Sequence, residues 1–290
     1  MKKILAVSGG LDSMVLLFFF RHDPNAIVAH FHHGTRPSAS QDQDFVRQWA
    51  ARYQLPFFTA QVNLGSHPSE ATARAARYQF LNQLAREHHG QIFTAHHADD
   101  LIESIAINLL RGTGWRGLTP LDHPQIQRPF LRPKSRPFFK ADLLRFAATR
   151  QIVFRQDPTN TESDYLRNRL RFRLSVLPHS VKLQLLALYT HQKFLKSSIE
   201  QLLQSLLPET SCYQRSWFVD LPDVVALELL RAILQASSLS LTRPQLQDFL
   251  HAIRTYAPGK IFNLPKNHLI RLEKDYFIIP NLTKNQISPL

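Results

Sequence analysis

The chain has 290 residues, is 44% hydrophobic and carries a formal net charge of +13 at neutral pH. That length allows two domains of ordinary size, and the hydrophobic content excludes wholesale disorder. A single cysteine, Cys212, excludes an intramolecular disulfide, a cysteine-rich zinc site or an iron–sulfur cluster held by this chain alone. The positive charge points to a polyanion as partner, against the alternative that the basic side chains only solvate the surface.

Lys2 to Val7 (KKILAV) has the length and composition of a strand, and Ser13 to Phe20 (SMVLLFFF) reads as a buried helix. A lysine pair before apolar residues also resembles a secretion signal. Asp12 and two glycines interrupt the apolar stretch, however, and no small-residue cleavage site follows. No apolar run reaches the length of a membrane span, so the expected location is the cytoplasm, with no membrane partner.

Ala26 to Phe31 is a second apolar run, and Gln41 to Tyr53 has helical spacing, with Phe45, Val46, Trp49 and Ala50 on one side. Phe57 to Val62 reads as a strand, Glu70 to Glu87 as a long helix, Gln91 to Ala95 as a strand and Asp99 to Arg111 as a helix. Strands alternating with helices predict an α/β domain with a mainly parallel, Rossmann-like sheet. From Gly112 to Pro137 the chain is rich in Gly, Pro and Arg and is expected to be an irregular connection. Helices are predicted again over Lys140 to Arg150 and over the basic stretch Asp164 to Leu177.

A break near Pro178 divides the chain into 1–178 and 179–290. The second part is expected to be a smaller, largely helical α+β domain. Its predicted helices are Val181 to Leu207, Leu221 to Ser237 and Thr242 to Thr255, followed by short strands from Lys260 to Ile279.

Four patterns carry chemistry. Ser8 to Ser13 (SGGLDS) lies between a predicted strand and helix, where a glycine pair lets successive backbone N–H groups and the helix N-terminus meet a phosphate. Ser8 and Ser13 add hydroxyls, and Asp12 could hold a magnesium ion or the substrate. The alternative is an ordinary strand–helix turn. His96, His97, Asp99, Asp100 and Glu103 could suggest a metal site, with Asp100 and Glu103 sharing a helix face and Asp99 well placed for simple capping; zinc is not expected. Arg74 and Arg77 share a helix face. Arg167, Arg169, Arg171 and Arg173, beside Tyr165 and Phe172, suit an RNA backbone or else cover the domain junction. Arg128, Arg132, Lys134 and Arg136 are expected to extend that surface. His30, His32 and His33 form a histidine-rich stretch.

SGGLDS resembles the pyrophosphate loop of the N-type ATP pyrophosphatases. Within that superfamily, AHFHHGTRPSASQDQDFV from Ala29, EATARAARYQFL from Glu70, TAHHADDLIESIAINLLRGTGWRGL from Thr94 and QDPTNTESDYLRNRLR from Gln156 resemble the tRNA(Ile)-lysidine synthetase family, in that family's order. The stretch from Leu241 is similar to the family's second domain. Leu101 and Ser104 stand where the family commonly has Gln and Thr.

The resemblance implies a C–N-bond-forming ligase acting on a tRNA(Ile) with a CAU anticodon. ATP adenylates the C2 carbonyl oxygen of the wobble cytidine, and the amine of free L-lysine then displaces AMP. It implies ATP and Mg2+ as cofactors. ATP would be held by Ser8, Gly9, Gly10, Leu11, Asp12, Ser13, His33 and His96, and the metal by Asp12. Asp100 and Glu103 would hold lysine, and Asp12, Arg77, Asp100 and Glu103 would be the catalytic set. Arg111, Arg167, Arg169, Arg171 and Arg173 would contact tRNA, with residues 179–290 as a tRNA-recognition domain and a homodimer left open. Two rivals share the loop: a tRNA thiolase, for which a single cysteine is a poor endowment, and a non-catalytic tRNA-binding protein.

Overall fold

The computed structural model describes residues 1–32, 39–62, 70–123, 125–131, 137–155, 166–208, 210–265 and 268–279. Internal contacts divide the chain into Met1–Tyr189 and Thr190–Leu290. In the first unit the order is β1 (Lys2–Ala6), α1 (Leu11–Phe19), β2 (Ala26–His32), α2 (Ala39–Arg52), β3 (Phe57–Gln61), α3 (Glu70–Glu87), β4 (Gly90–Phe93), α4 (Ala98–Leu110), β5 (Ile126–Gln127), α5 (Lys140–Thr149) and α6 (Leu166–Ser175). The five strands make one parallel sheet in the order β3-β2-β1-β4-β5.

β1 lies at the centre because both of its faces are apolar, as a parallel strand covered by helices on both sides requires. Leu5 and Val7 point to one layer with Val28, Met14 and Leu16 of α1, Val46 and Ala50 of α2, and Leu143 and Ala147 of α5. Ile4 points to the other, with Ile27, Ala29, Ile92 and Leu81 and Leu84 of α3. α1 is apolar nearly all round because it is buried: Met14, Val15, Leu16 and Leu17 are each at most 2% exposed. Fully burying such a side chain contributes roughly 1.5–3 kcal/mol. A smaller cluster seats α4 through Ala98, Leu101, Ile102 and Ile105 against Phe139 and Leu186.

The stretch after Arg111 is more ordered than its composition predicts. It contains 3-10 turns at Trp115–Leu118 and Pro129–Leu131 and the edge strand β5, and it buries Gly117, Thr119, Arg128 and Phe130. Gly117 shows the reason. A Cβ there would stand 1.8 Å from the Thr113 hydroxyl, and the Gly117 carbonyl accepts from the Asn108 side chain at 3.0 Å. Local side-chain bonds and close packing, invisible to periodicity, order this segment. Arg128 departs from the expected surface role: it is 4% exposed and donates to the Ile126 carbonyl at 3.2 Å. Arg132, Lys134 and Arg136 lie outside the described residues.

α7 (His179–Leu206) begins in the first unit and ends in the second. The second unit continues with β6 (Cys212–Gln214), α8 (Ser216–Val219), α9 (Asp223–Ala236), α10 (Arg243–Thr255), β7 (Lys260–Leu264), β8 (His268–Leu272) and β9 (Tyr276–Ile278). Its antiparallel sheet has the order β6-β9-β8-β7. Leu246, Phe249, Leu250 and Ile253 form the buried stripe of α10 and pack with Leu230 and Ile233 of α9 and Ile270, Leu272 and Phe277 of the sheet. Among the described residues no helix is long and apolar enough to cross a membrane.

Candidate active site

The sheet order places a switch point at β1. From β1 the chain moves to β2 on one side and later to β4 on the other. At such a point two loops diverge beyond the carboxyl ends of adjacent strands and leave a crevice. SGGLDS follows β1 and HHADD follows β4, so both motifs open at that end.

The SGGLDS turn is built around Ser13. Its Oγ accepts from the Ser8 and Gly9 amides, each at 3.1 Å, and donates to the Gly10 carbonyl at 2.9 Å. The Ser8 hydroxyl lies 3.1 Å away. Gly9 has φ +94°, a conformation that L side chains rarely adopt, and a Cβ there would meet Val46 at 3.4 Å. Gly10 then caps α1, Leu11 is buried as its first residue, and Asp12 lies in its first turn, where a carboxylate complements the helix dipole. Arg155 ties the turn down from behind: its amide donates to the Gly9 carbonyl at 3.0 Å, and its guanidinium pairs with Asp42 and Gln41 of α2.

Asp12 does not stand alone. The Lys140 ammonium, at the first residue of α5, bonds both of its oxygens at 2.8 Å. The Lys140 amide donates to Asp99 Oδ2 at 2.8 Å, and Lys182 of α7 reaches Asp99 Oδ1 at 3.0 Å. Burial pushes the Asp99 carboxyl up, but the Lys140 amide and the Lys182 ammonium outweigh it and hold the group below its ordinary range.

His97 lies among three carboxylates. Its Nε2 is 3.8 Å from Asp12 and 3.4 Å from Asp100, and its Nδ1 is 3.8 Å from Asp99. It is 5% exposed, and Nδ1 has no hydrogen-bond partner among the described residues. Asp100 also accepts from the His97 amide at 3.0 Å and so closes the first turn of α4.

The other expected residues separate into groups. His96 bonds Thr94 Oγ1 through Nδ1 at 2.8 Å. Glu103, 2% exposed, shares a face of α4 with Asp100 but pairs with Arg171 of α6 at 3.2 Å. Arg77 is half-buried on α3 with its guanidinium 5.4 Å from the Tyr78 ring centroid. Arg111 caps α4 and is exposed, as are Arg169, Arg171 and Arg173 on α6. Arg167 is on α6, its side chain outside the described residues, and His33 lies outside them entirely. His30 is buried and bonds the Val7 carbonyl through Nδ1 at 2.9 Å. Lys140 and Lys182 were missed, because nothing in the order of residues links them to Asp12 or Asp99. The one available signal for Lys140 was its place at the start of a predicted helix.

These residues fit the groups that the resemblance implies. The Ser8 and Gly9 amides are held by Ser13, and the turn leads into the N-terminus of α1, whose first amides and positive dipole end suit a polyphosphate. Among the described residues no group of three or more His, Cys, Asp or Glu could hold a metal by itself. Asp12, with a side chain 31% exposed, offers one carboxylate. That suits Mg2+, which commonly takes one or two carboxylates and completes its shell with phosphate oxygens and water.

An open parallel sheet with a glycine-serine turn at its switch point defines an open α/β domain. The PP-loop domain family matches residues 1–179. The chain belongs to that family. It is 30% identical to a tRNA(Ile)-lysidine synthase from Streptococcus equi subsp. zooepidemicus over 298 residues, covering 96% of this chain and 65% of the relative. It is 36% identical over 180 residues to a tRNA(Ile)-lysidine synthase from Exiguobacterium sibiricum, covering 59% of this chain and 42% of the relative. The chain thus spans well under the full length of these curated relatives. Among solved structures, the U34-tRNA thiolase NcsA from Methanococcus maripaludis with its 4Fe-4S cluster superposes with a TM-score of 0.53 at 16% identity, over 67% of this chain and 72% of that one. That likeness concerns the fold.

Proposed function

We propose that the chain is an ATP-dependent tRNA(Ile)-lysidine synthetase, a ligase joining free L-lysine to C2 of the wobble cytidine in a tRNA(Ile) with a CAU anticodon. The cytidine O2 attacks the α-phosphorus of ATP and pyrophosphate leaves. The lysine amine then attacks C2 and loses a proton, and the C2–O bond breaks to release AMP. The observation that carries this reading is the convergence of SGGLDS and HHADDLIES, in which Asp12 and Asp100 lie 3.8 and 3.4 Å from the same His97 nitrogen. The similarity to a lysidine synthase along 96% of the chain supports it.

In this reading the N-terminus of α1, set by the Ser13-braced turn, takes the polyphosphate with Leu11 packing beneath, and His33 and His96 contact the nucleotide. Asp12 would hold Mg2+, whose charge eases the departure of pyrophosphate when bound. Arg77 neutralises phosphate charge. The lysine ammonium bridges Asp100 and Glu103 and takes the place that Arg171 holds on Glu103. Arg111, Arg167, Arg169, Arg171 and Arg173 hold tRNA phosphates, and residues 179–290 serve tRNA recognition, in the cytoplasm.

The test is incorporation. Protein, ATP, labelled lysine and CAU-anticodon tRNA(Ile) are incubated, and label is expected in the tRNA with one AMP formed per lysine transferred. No incorporation into a competent tRNA overturns the reading, and a sulfur-dependent mass gain replaces it with the thiolase.

A further inference from the structure

Lys140 is the residue of the site that the loop chemistry does not explain. Its ammonium saturates Asp12, bonding both carboxylate oxygens at 2.8 Å. Asp12 is the carboxylate read above as the metal holder, and the inference rests on that reading. A cation already sits where the metal would bind.

The two ends of Lys140 are held very differently. Its amide is fixed to Asp99 Oδ2 at 2.8 Å, and Asp99 is itself anchored by Lys182 at 3.0 Å. Its side chain is 44% exposed, on a four-carbon stem whose tip can move several ångströms while the backbone stays in place. An ammonium is a point charge with rotatable donors, unlike the rigid guanidinium fork, and it can exchange one oxygen partner for another.

We propose that Lys140 has two successive partners: it neutralises Asp12 while the turn is empty, and it passes to the polyphosphate oxygens when Mg2+ and ATP load together. The charges favour this exchange only when both arrive. A metal ion alone must displace an ammonium that already satisfies both Asp12 oxygens, and it offers that ammonium nothing in return. A nucleoside triphosphate brings several anionic oxygens beside the turn, so the displaced ammonium gains charge-assisted bonds as it gives up Asp12. Lys140 thereby keeps bare divalent cations off Asp12 and adds a ligand for the phosphates.

The exchange is tested by binding alone. Mn2+ binding without nucleotide is measured by electron paramagnetic resonance, and Mg·ATP binding by titration calorimetry, for the wild type and Lys140→Met. Lys140→Met is expected to bind Mn2+ roughly tenfold more tightly and Mg·ATP roughly tenfold more weakly. Adding Asp12→Asn removes the Mn2+ gain, and Lys140→Arg, which keeps a cation on Asp12, leaves Mn2+ affinity at the wild-type level. Lys140→Gln serves as a second neutral variant if methionine disturbs folding, checked by circular dichroism. Unchanged Mn2+ affinity in the neutral variants, a gain that survives Asp12→Asn, or unchanged Mg·ATP affinity overturns the proposal. Neither measurement uses tRNA or lysine, so lysine transfer can fail while the exchange stands, and the reverse.

Discussion

His30 illustrates how one buried side chain ties stability to pH. Burial pushes its imidazole below the ordinary value of 6.5, and the neutral ring donates Nδ1–H to the Val7 carbonyl just before the SGGLDS turn. A depressed histidine pKa means that the unfolded chain binds the proton more readily. The contribution of His30 is therefore complete above about pH 6.5 and is lost as pH falls from there through the folded value. His30→Gln is expected to flatten the fall in melting temperature between about pH 6.5 and 5, whatever it does to the melting temperature itself; an unchanged slope would sink the account. At the same scale, Asp12→Ala should abolish pyrophosphate release while leaving tRNA binding largely intact. Glu103→Gln should raise the KM for lysine roughly ten- to a hundredfold and spare adenylation, because a charge-assisted bond contributes about 1.5–3 kcal/mol. If both variants lose only tRNA affinity, the roles assigned to the two carboxylates are wrong.

Elements are held in place here by a few polar side chains that reach across to other elements. Ser13 caps two amides of its own turn, and Ser13→Ala leaves the buried Gly9 amide without its partner. It should cost roughly 1–3 kcal/mol in denaturant unfolding, and Ser13→Thr, which restores a hydroxyl, should recover part of that. Gly117→Ala drives a methyl into the Thr113 side chain and should cost about 1–3 kcal/mol by overpacking. In the second unit Arg215 is 8% exposed and donates to the carbonyls of Ile253, Tyr256 and Glu273 at 2.7–2.8 Å, fastening the C-terminal end of α10 to the turn between β8 and β9. Such arginines look in a sequence like any other positive charge.

For the whole molecule, that distinction qualifies the net charge. Arg128 and Arg215 serve backbone carbonyls and Lys140 and Lys182 serve carboxylates, whereas Arg111, Arg169 and Arg173 are exposed. The exposed set is the part of the +13 expected to meet tRNA phosphates. Binding of tRNA should weaken linearly on a log–log plot against salt, and Arg169→Ala with Arg173→Ala should lower the slope by about 0.7–0.9 per lost phosphate contact. Arg215→Ala should instead destabilise the second unit, and an equal effect of both on the slope would refute the division.

The sequence by itself determined the order of strands and helices from β1 through α4, because alternating apolar runs and helical spacing are local patterns that burial on two faces enforces. It also marked the SGGLDS turn, since a glycine pair, two serines and an aspartate between strand and helix form a recognisable local pattern. It marked the apolar stripe of α10 as core. It did not reveal β5 or the packed turns after Arg111, whose order comes from contacts such as Asn108 with Gly117 rather than from any period. Only the tertiary structure decided which charges meet. The strand order reverses at β1, so the loops after β1 and β4 open at the same end, and Asp12 and Asp100 come to flank His97. The packing of α5 then delivers Lys140 to Asp12 from 128 positions away. Pairings of that kind follow from the geometry of a folded sheet and its covering helices, and no local pattern in the chain encodes them.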